Sequence, residues 1–124
     1  MVSRIVQWTL DVQDAEVMSQ FWSRALGYRV HPREDGSATL FPPDDAAPDV
    51  PSIWLQASGG PKREKMRGHL DLVAADGDVE AEVDRLIGLG ARRADVGQTG
   101  NEDFVVLADP EGNEFCVLYG RPGR

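Results

Sequence analysis

Cysteine is nearly absent from this chain. Cys116 is the only one in 124 residues, so no disulfide can form within the chain. That composition matches a reducing compartment, and a cytoplasmic location is expected. Long apolar runs are missing too. No stretch approaches the roughly 18 consecutive apolar residues of a membrane span. The opening MVSRIVQWTL has neither an extended apolar core nor a small-residue cleavage site, so no secretory leader is expected. Basic residues are scarce: 13 Lys and Arg stand against 21 Asp and Glu, a formal net charge of −8. Non-specific binding to nucleic acid or to anionic membranes needs basic surface, so neither partner is expected. The sequence also lacks a phosphate-cradling glycine loop, a nucleophile elbow and a CxxC pair.

What is present is an ordinary globular composition, 41% hydrophobic and 27% charged, at a length typical of one domain. Such a chain can bury a core without disulfide or metal staples. The sequence then repeats itself. RIVQWTLDVQD alternates, with Val6, Trp8, Leu10 and Val12 on one face and Gln7, Thr9 and Asp11 on the other. AEVMSQFWSRAL follows with Val17, Met18, Phe21, Trp22 and Ala25 at helical spacing. Asp14 is placed to start this helix and Gly27 to end it. From Gly68, GHLDLVAAD alternates again, and DVEAEVDRLIGLG follows with an apolar stripe of Val79, Val83, Leu86 and Ile87. Gln7 lies seven positions before Asp14, and His69 seven before Asp76.

Three strand-like runs follow each helix: YRVHPR, SATLFP and SIWLQA, then RRADVG, FVVLAD and NEFCVLY. The pattern predicts an α+β protein of two tandem βαβββ units, about 4–57 and 67–119, joined by a linker about 58–66. The helix of each unit covers one sheet face, on the side of Trp8, Leu10 and Val12. The other face is too polar for core. Pairing the sheets into a curved, half-open barrel would let that face line an internal cleft, the default place for a ligand.

The duplicated unit resembles the vicinal oxygen chelate superfamily, which includes glyoxalase I, extradiol dioxygenases, fosfomycin-resistance enzymes and bleomycin-binding proteins. The pieces that carry the resemblance are FWSRALGY, KMRGHLDLVAAD and VVLADPEGNEFCVLY, and it spans about Arg4 to Tyr119 as a single glyoxalase-like domain. The resemblance implies a homodimer that acts on, or binds, a small molecule. In metal-dependent members of the superfamily, four ligands come from the first and fourth strands of each unit. Here those places fall on Gln7, Gln56, His69 and Cys116, and only His69 keeps the usual type. Amide oxygens are weak ligands, and two strong donors fall short of the three protein ligands of catalytic zinc sites. No cofactor is therefore expected. A divalent metal at His69 is the alternative, completed by Cys116, by Glu114, which shares its strand parity, or by Asp71, which shares that of His69.

Candidate roles follow from chemistry and parity. His69 is a base or residual ligand, or else a structural hydrogen bonder. Asp71, two residues along the same face, pairs with it for acid–base work or holds backbone at the cleft edge. Glu114 can assist. Gln7, Thr9 and Gln56 would orient polar ligand groups, and Trp54 would give a flat stacking wall. Cys116 sits in the apolar run FCVLY and reads first as a small buried hydrophobe, its reactivity requiring a lowered pKa. Lys62, Arg63, Lys65 and Arg67 form a basic cluster, read as a solvated linker or as a lure for an anionic substrate; Arg67 has the parity to reach into the cleft. Two functions stand. One is a lyase or isomerase of glyoxalase type without the usual metal. The other is a non-catalytic antibiotic- or metabolite-binding protein of bleomycin-resistance type. A partner-binding or regulatory domain is a third reading.

Overall fold

Each half of the chain begins with a strand that hands over to a helix at an aspartate. The structure, a computed structural model, describes residues 2–58 and 60–121. It divides into two compact units, residues 1–61 and 62–124. In the first, strand β1 (Gln7–Val12) precedes helix α1 (Ala15–Leu26). Asp14 caps α1 by accepting the Val17 N–H at 3.0 Å, and Gly27 ends it in the left-handed region at φ 72°. In the second, strand β5 (Asp71–Val73) precedes helix α2 (Val79–Leu89). The cap here is Asp78, which accepts the Ala81 N–H at 3.1 Å. The spacing had pointed to Asp76 as the counterpart of Asp14. Asp76 instead accepts the Asp78 N–H at 3.0 Å and shapes a turn through Gly77 at φ 81°. That longer turn delays the second helix.

The first unit continues with β2 (Arg29–Pro32), β3 (Ala38–Phe41) and β4 (Ser52–Ala57), in the sheet order β1-β4-β3-β2. The second continues with β6 (Arg92–Arg93), β7 (Phe104–Ala108) and β8 (Glu114–Leu118), in the order β5-β8-β7-β6. In both, the strand before the helix pairs in parallel with the last strand, and the remaining pairs are antiparallel. The expected pair of βαβββ units is thus present as two four-stranded sheets. Among the described residues, no helix is long and apolar enough to cross a membrane.

The core of the first unit joins Met18, Phe21 and Trp22 of α1 to Leu40, Ile53 and Leu55 of the sheet, all buried. Phe21 and Trp22 meet edge to face at 5.0 Å. The second buries Val79, Val83 and Leu86 of α2 with Leu107, Phe115 and Val117. Each such large apolar side chain contributes roughly 1.5–3 kcal/mol on leaving water. Three expected core residues are not core: Trp8 is 48% exposed, and Val17 and Ile87 are also exposed. β1 is the sheet edge, and α1 rests chiefly on β3 and β4, which leaves Trp8 uncovered. Val17 and Ile87 each lie one residue, about 100° of helix, from the inward stripe.

The turn between β7 and β8 is built on one buried carboxylate. Asp109 accepts the backbone N–H groups of Glu111 and Asn113 at 3.0 Å, and its two oxygens receive the Asn113 side-chain amide at 3.1 and 3.0 Å. Gly112 completes the turn at φ 88°, where the Arg92 guanidinium lies 3.3 Å from any added Cβ. The D-P-E-G-N sequence thus fixes the strand that carries Glu114 and Cys116.

Candidate functional site

The candidate residues of the second unit share one sheet face, and register sets which face it is. Asp71 of β5 pairs with Cys116 of β8, and Cys116 with Val106 of β7. Alternation then puts Glu114, Cys116 and Leu118 on the same face as Phe104 and Val106. These residues, with Lys65, His69 and Val96, line a cavity of about 260 Å³. His69 was expected inside the strand but precedes it. It stays in place because the Cys116 N–H donates to the Leu70 carbonyl at 3.0 Å, extending the pairing backwards.

His69 Nε2 lies 3.0 Å from Asp71 Oδ1. With Nε2 donating to the carboxylate, Nδ1 is the nitrogen left to take a proton. Both side chains remain partly exposed, at 39% and 46%, so water and a small molecule reach them. Cys116 is buried, and burial, then the charge and hydrogen bond of Asp71, push its thiol up from 9.0 to about 11, with Lys65 pulling weakly the other way. It is a neutral thiol at physiological pH, the opposite of an activated nucleophile. Glu114 has a different occupation. Its Oε2 takes Lys62 Nζ at 2.9 Å and its Oε1 takes the Met66 N–H at 3.3 Å. Burial alone would raise its pKa, but these donors outweigh burial and hold the carboxyl below the usual range. Glu114 therefore anchors the 62–66 segment against the sheet.

The resemblance to metal-dependent proteins makes a divalent ion a question for these residues. One donor atom each from His69, Asp71 and Cys116 lie within 4.8 Å of one another. That is a nitrogen, an oxygen and a sulfur, three protein ligands, which suits a borderline-soft ion such as zinc better than a hard one. The donors fit, provided the ion displaces the Cys116 proton, as coordination does to thiols. Glu114 is engaged elsewhere, so Asp71 is the better third ligand.

The first unit has a cavity of its own, about 610 Å³ and open, lined by Gln7, Arg33, Glu34, Asp35, Thr39 and Trp54. Gln7 and Trp54 lie where their parity placed them. Thr9 pairs with Trp54 and Gln56 with Asp11, but neither Thr9 nor Gln56 lines this cavity. By register, the counterpart of Cys116 is Trp54 rather than Gln56, since Trp54 faces Thr9 as Cys116 faces Asp71. Arg67 is exposed and lines neither cavity; Lys65 of the same basic cluster lines the second. Arg33, Thr39 and the apolar wall of Val96 and Phe104 were not singled out from the sequence. The parity of Phe104 with Val106 was the available signal for that wall. Nothing in the sequence marks the reach of Arg33 back over the sheet.

Comparison with known proteins follows the same lines. Residues 7–118 match the glyoxalase-like domain family. No curated protein matches the chain in sequence. Among solved structures, the fosfomycin resistance protein FosX from Mesorhizobium loti is similar over 98% of this chain and 94% of its own, at 17% identity and a TM-score of 0.70. A FosX variant from Listeria monocytogenes, complexed with Mn(II) and 1S,2S-dihydroxypropylphosphonic acid, is similar over 98% and 93%, at 15% identity and 0.72. A glyoxalase/bleomycin resistance protein/dioxygenase family enzyme from Burkholderia phytofirmans is similar over 93% and 97%, at 16% identity and 0.68. At these identities the likeness shows the fold.

Proposed function

From the premise that the chain belongs to the glyoxalase-like domain family, we propose that it is a small-molecule enzyme of lyase or isomerase type that works by proton transfer at His69. One observation carries this reading: the 3.0 Å pair of His69 and Asp71 on the wall of a cavity whose other sides are largely apolar. Asp71 orients the imidazole through the 3.0 Å contact with Nε2. Nδ1 removes a proton from a bound substrate and returns it to a neighbouring atom. Val96, Phe104, Val106 and Leu118 offer an apolar wall for the carbon skeleton of the substrate. Cys116, neutral and hydrogen-bonded to Asp71, positions that carboxylate and takes no part as nucleophile. A divalent ion held by His69, Asp71 and Cys116 would polarise a substrate carbonyl oxygen. The proton transfer itself is the work of the chain's own residues.

The test is incubation in deuterated water with small carbonyl compounds that bear an acidic C–H, followed by mass spectrometry. The expected result is deuterium incorporation that His69→Ala abolishes and Asp71→Asn reduces by about 10²–10⁴-fold, the usual worth of acid–base catalysis. Full exchange by a folded His69→Ala variant rejects the assignment.

The non-catalytic reading has its own support. Gln7 and Trp54 line the larger, open cavity, which offers an amide and an aromatic face to a ligand. Binding without turnover would return the ligand unchanged after long incubation.

A further inference from the structure

The first unit's cavity holds a guanidinium that no carboxylate answers. Arg33 donates from Nε and Nη2 to the Thr39 hydroxyl at 3.1 and 3.0 Å. Among the described residues it makes no ion pair, although the chain carries a net charge of −8 and acids occupy the next two positions. Arginine in such company ordinarily takes a carboxylate, whose shape matches its fork. Thr39 cannot neutralise it. The bonds do, however, fix where the guanidinium sits. Thr39 is buried in the middle of the sheet, between Trp54 of β4 and His31 of β2. Arg33 is thereby drawn back from the hairpin tip over the polar face, with its Nη1 end left to donate.

We propose that this cavity binds a planar monocarboxylate, an aromatic or conjugated acid. Arg33 receives the carboxylate, Trp54 lies along the flat apolar body, and the Gln7 amide meets a polar substituent. The remaining lining groups set the limit on charge. Asp35 is tied to the turn, its Oδ1 accepting the Ser37 N–H at 2.9 Å, and Glu34 stands beside it on the same rim. Two carboxylates there repel a second anionic group, so the site selects a monoanion over a dianion. At about 610 Å³ the space is ample for a ligand of one or two rings. This inference is independent of the proton transfer assigned to His69.

The experiment is an amide-detected NMR titration of the full chain with benzoate, benzamide and terephthalate. Benzoate is expected to shift the Trp54 indole and Gln7 side-chain signals, with benzamide and terephthalate at least about tenfold weaker, the worth of a charge-assisted hydrogen bond. Arg33→Gln is expected to make benzoate and benzamide bind alike while the α1 signals stay put. Arg33→Lys, which keeps the charge and loses the fork, falls between and serves if the glutamine variant is unfolded. Trp54→Leu weakens both probes together. The proposal is overturned if Arg33→Gln keeps the benzoate preference, if terephthalate binds as well as benzoate, or if benzoate shifts signals only around His69. No shift at Trp54 at about 10 mM benzoate also overturns it.

Discussion

The two units share a topology and differ in one row of residues. Across the first sheet the row is Thr9, Trp54 and Thr39; across the second, the matching register positions are Asp71, Cys116 and Val106. One step before each row stand Gln7 and His69. The first row is uncharged and carries an aromatic, with Arg33 laid over it. The second holds groups that titrate. One copy of a duplicated scaffold thus carries an amide, an aromatic ring and a guanidinium, and the other an imidazole, a carboxylate and a thiol. The backbone frame asks for strand parity and register at these positions, and any side chain that tolerates a half-buried sheet face can occupy them.

The sharpest way to break this comparison is at the turns. The second unit has the Asp109 turn, and the first spans the same place with a long loop through Asp44 and Asp45. Asp109 is fully buried and accepts two backbone and two side-chain bonds. Asp109→Ala leaves those donors unpaired and should cost about 3–5 kcal/mol, read from urea unfolding. The exposed Asp45→Ala should stay within about 0.5 kcal/mol. Equal effects would mean the two turns hold their strands alike.

The rows themselves can be compared by pH. The Cys116 thiol rises from 9.0 to about 11 on folding, while Trp54 has nothing to titrate. A raised folded pKa means the neutral thiol is favoured in the fold. That stability is full below about 9 and is lost as pH climbs through about 11, on the order of 2 kcal/mol. Cys116→Ala should flatten the alkaline limb of the stability curve. Alkylation of Cys116 by iodoacetamide should stay slow at neutral pH, and Asp71→Asn should speed it. Fast modification near neutrality would show an activated thiolate and remove the contrast between the rows.

The helix caps test the shared part of the design. Asp14→Ala and Asp78→Ala each remove one bond to a helix N-terminus and should each cost about 1 kcal/mol by thermal melting. The caps also show what a sequence can carry. Asp14, Gly27 and the limits Ala15–Leu26 were legible because caps and 3.6-residue periodicity are local signals. Asp78 was missed because Asp76 also had the right chemistry, and only the Gly77 turn decides between them. The pairing of His69 with Asp71 followed from parity alone. Trp8 failed because alternation names a face without saying whether the helix reaches the sheet edge. Arg33 and Lys65 were passed over, or read as linker, because their placement depends on a hairpin tip and on a segment pinned by Glu114. Long-range tethers of that kind leave no periodic trace.

The smallest effect concerns a helix position at which the two units differ. Aligned on their caps, Ser19 of α1 occupies the place of Val83 in α2, and both are buried. Val83 fills its site with apolar surface. Ser19 takes a hydroxyl there, and its Oγ has no hydrogen-bond partner among the described residues. An unpaired buried hydroxyl costs about 1–3 kcal/mol, and alanine is also the better helix former by a few tenths. Ser19→Ala should therefore raise stability by about 0.5–1 kcal/mol, the lost packing of one oxygen offsetting part of the gain. Ser19→Val separates the two contributions. If the surrounding core yields, valine matches or exceeds alanine; if it is close-packed, the added methyls cost about 1–3 kcal/mol. A drop in melting temperature for Ser19→Ala would show instead that the hydroxyl is bonded in solution, and that α1 is packed as well as α2.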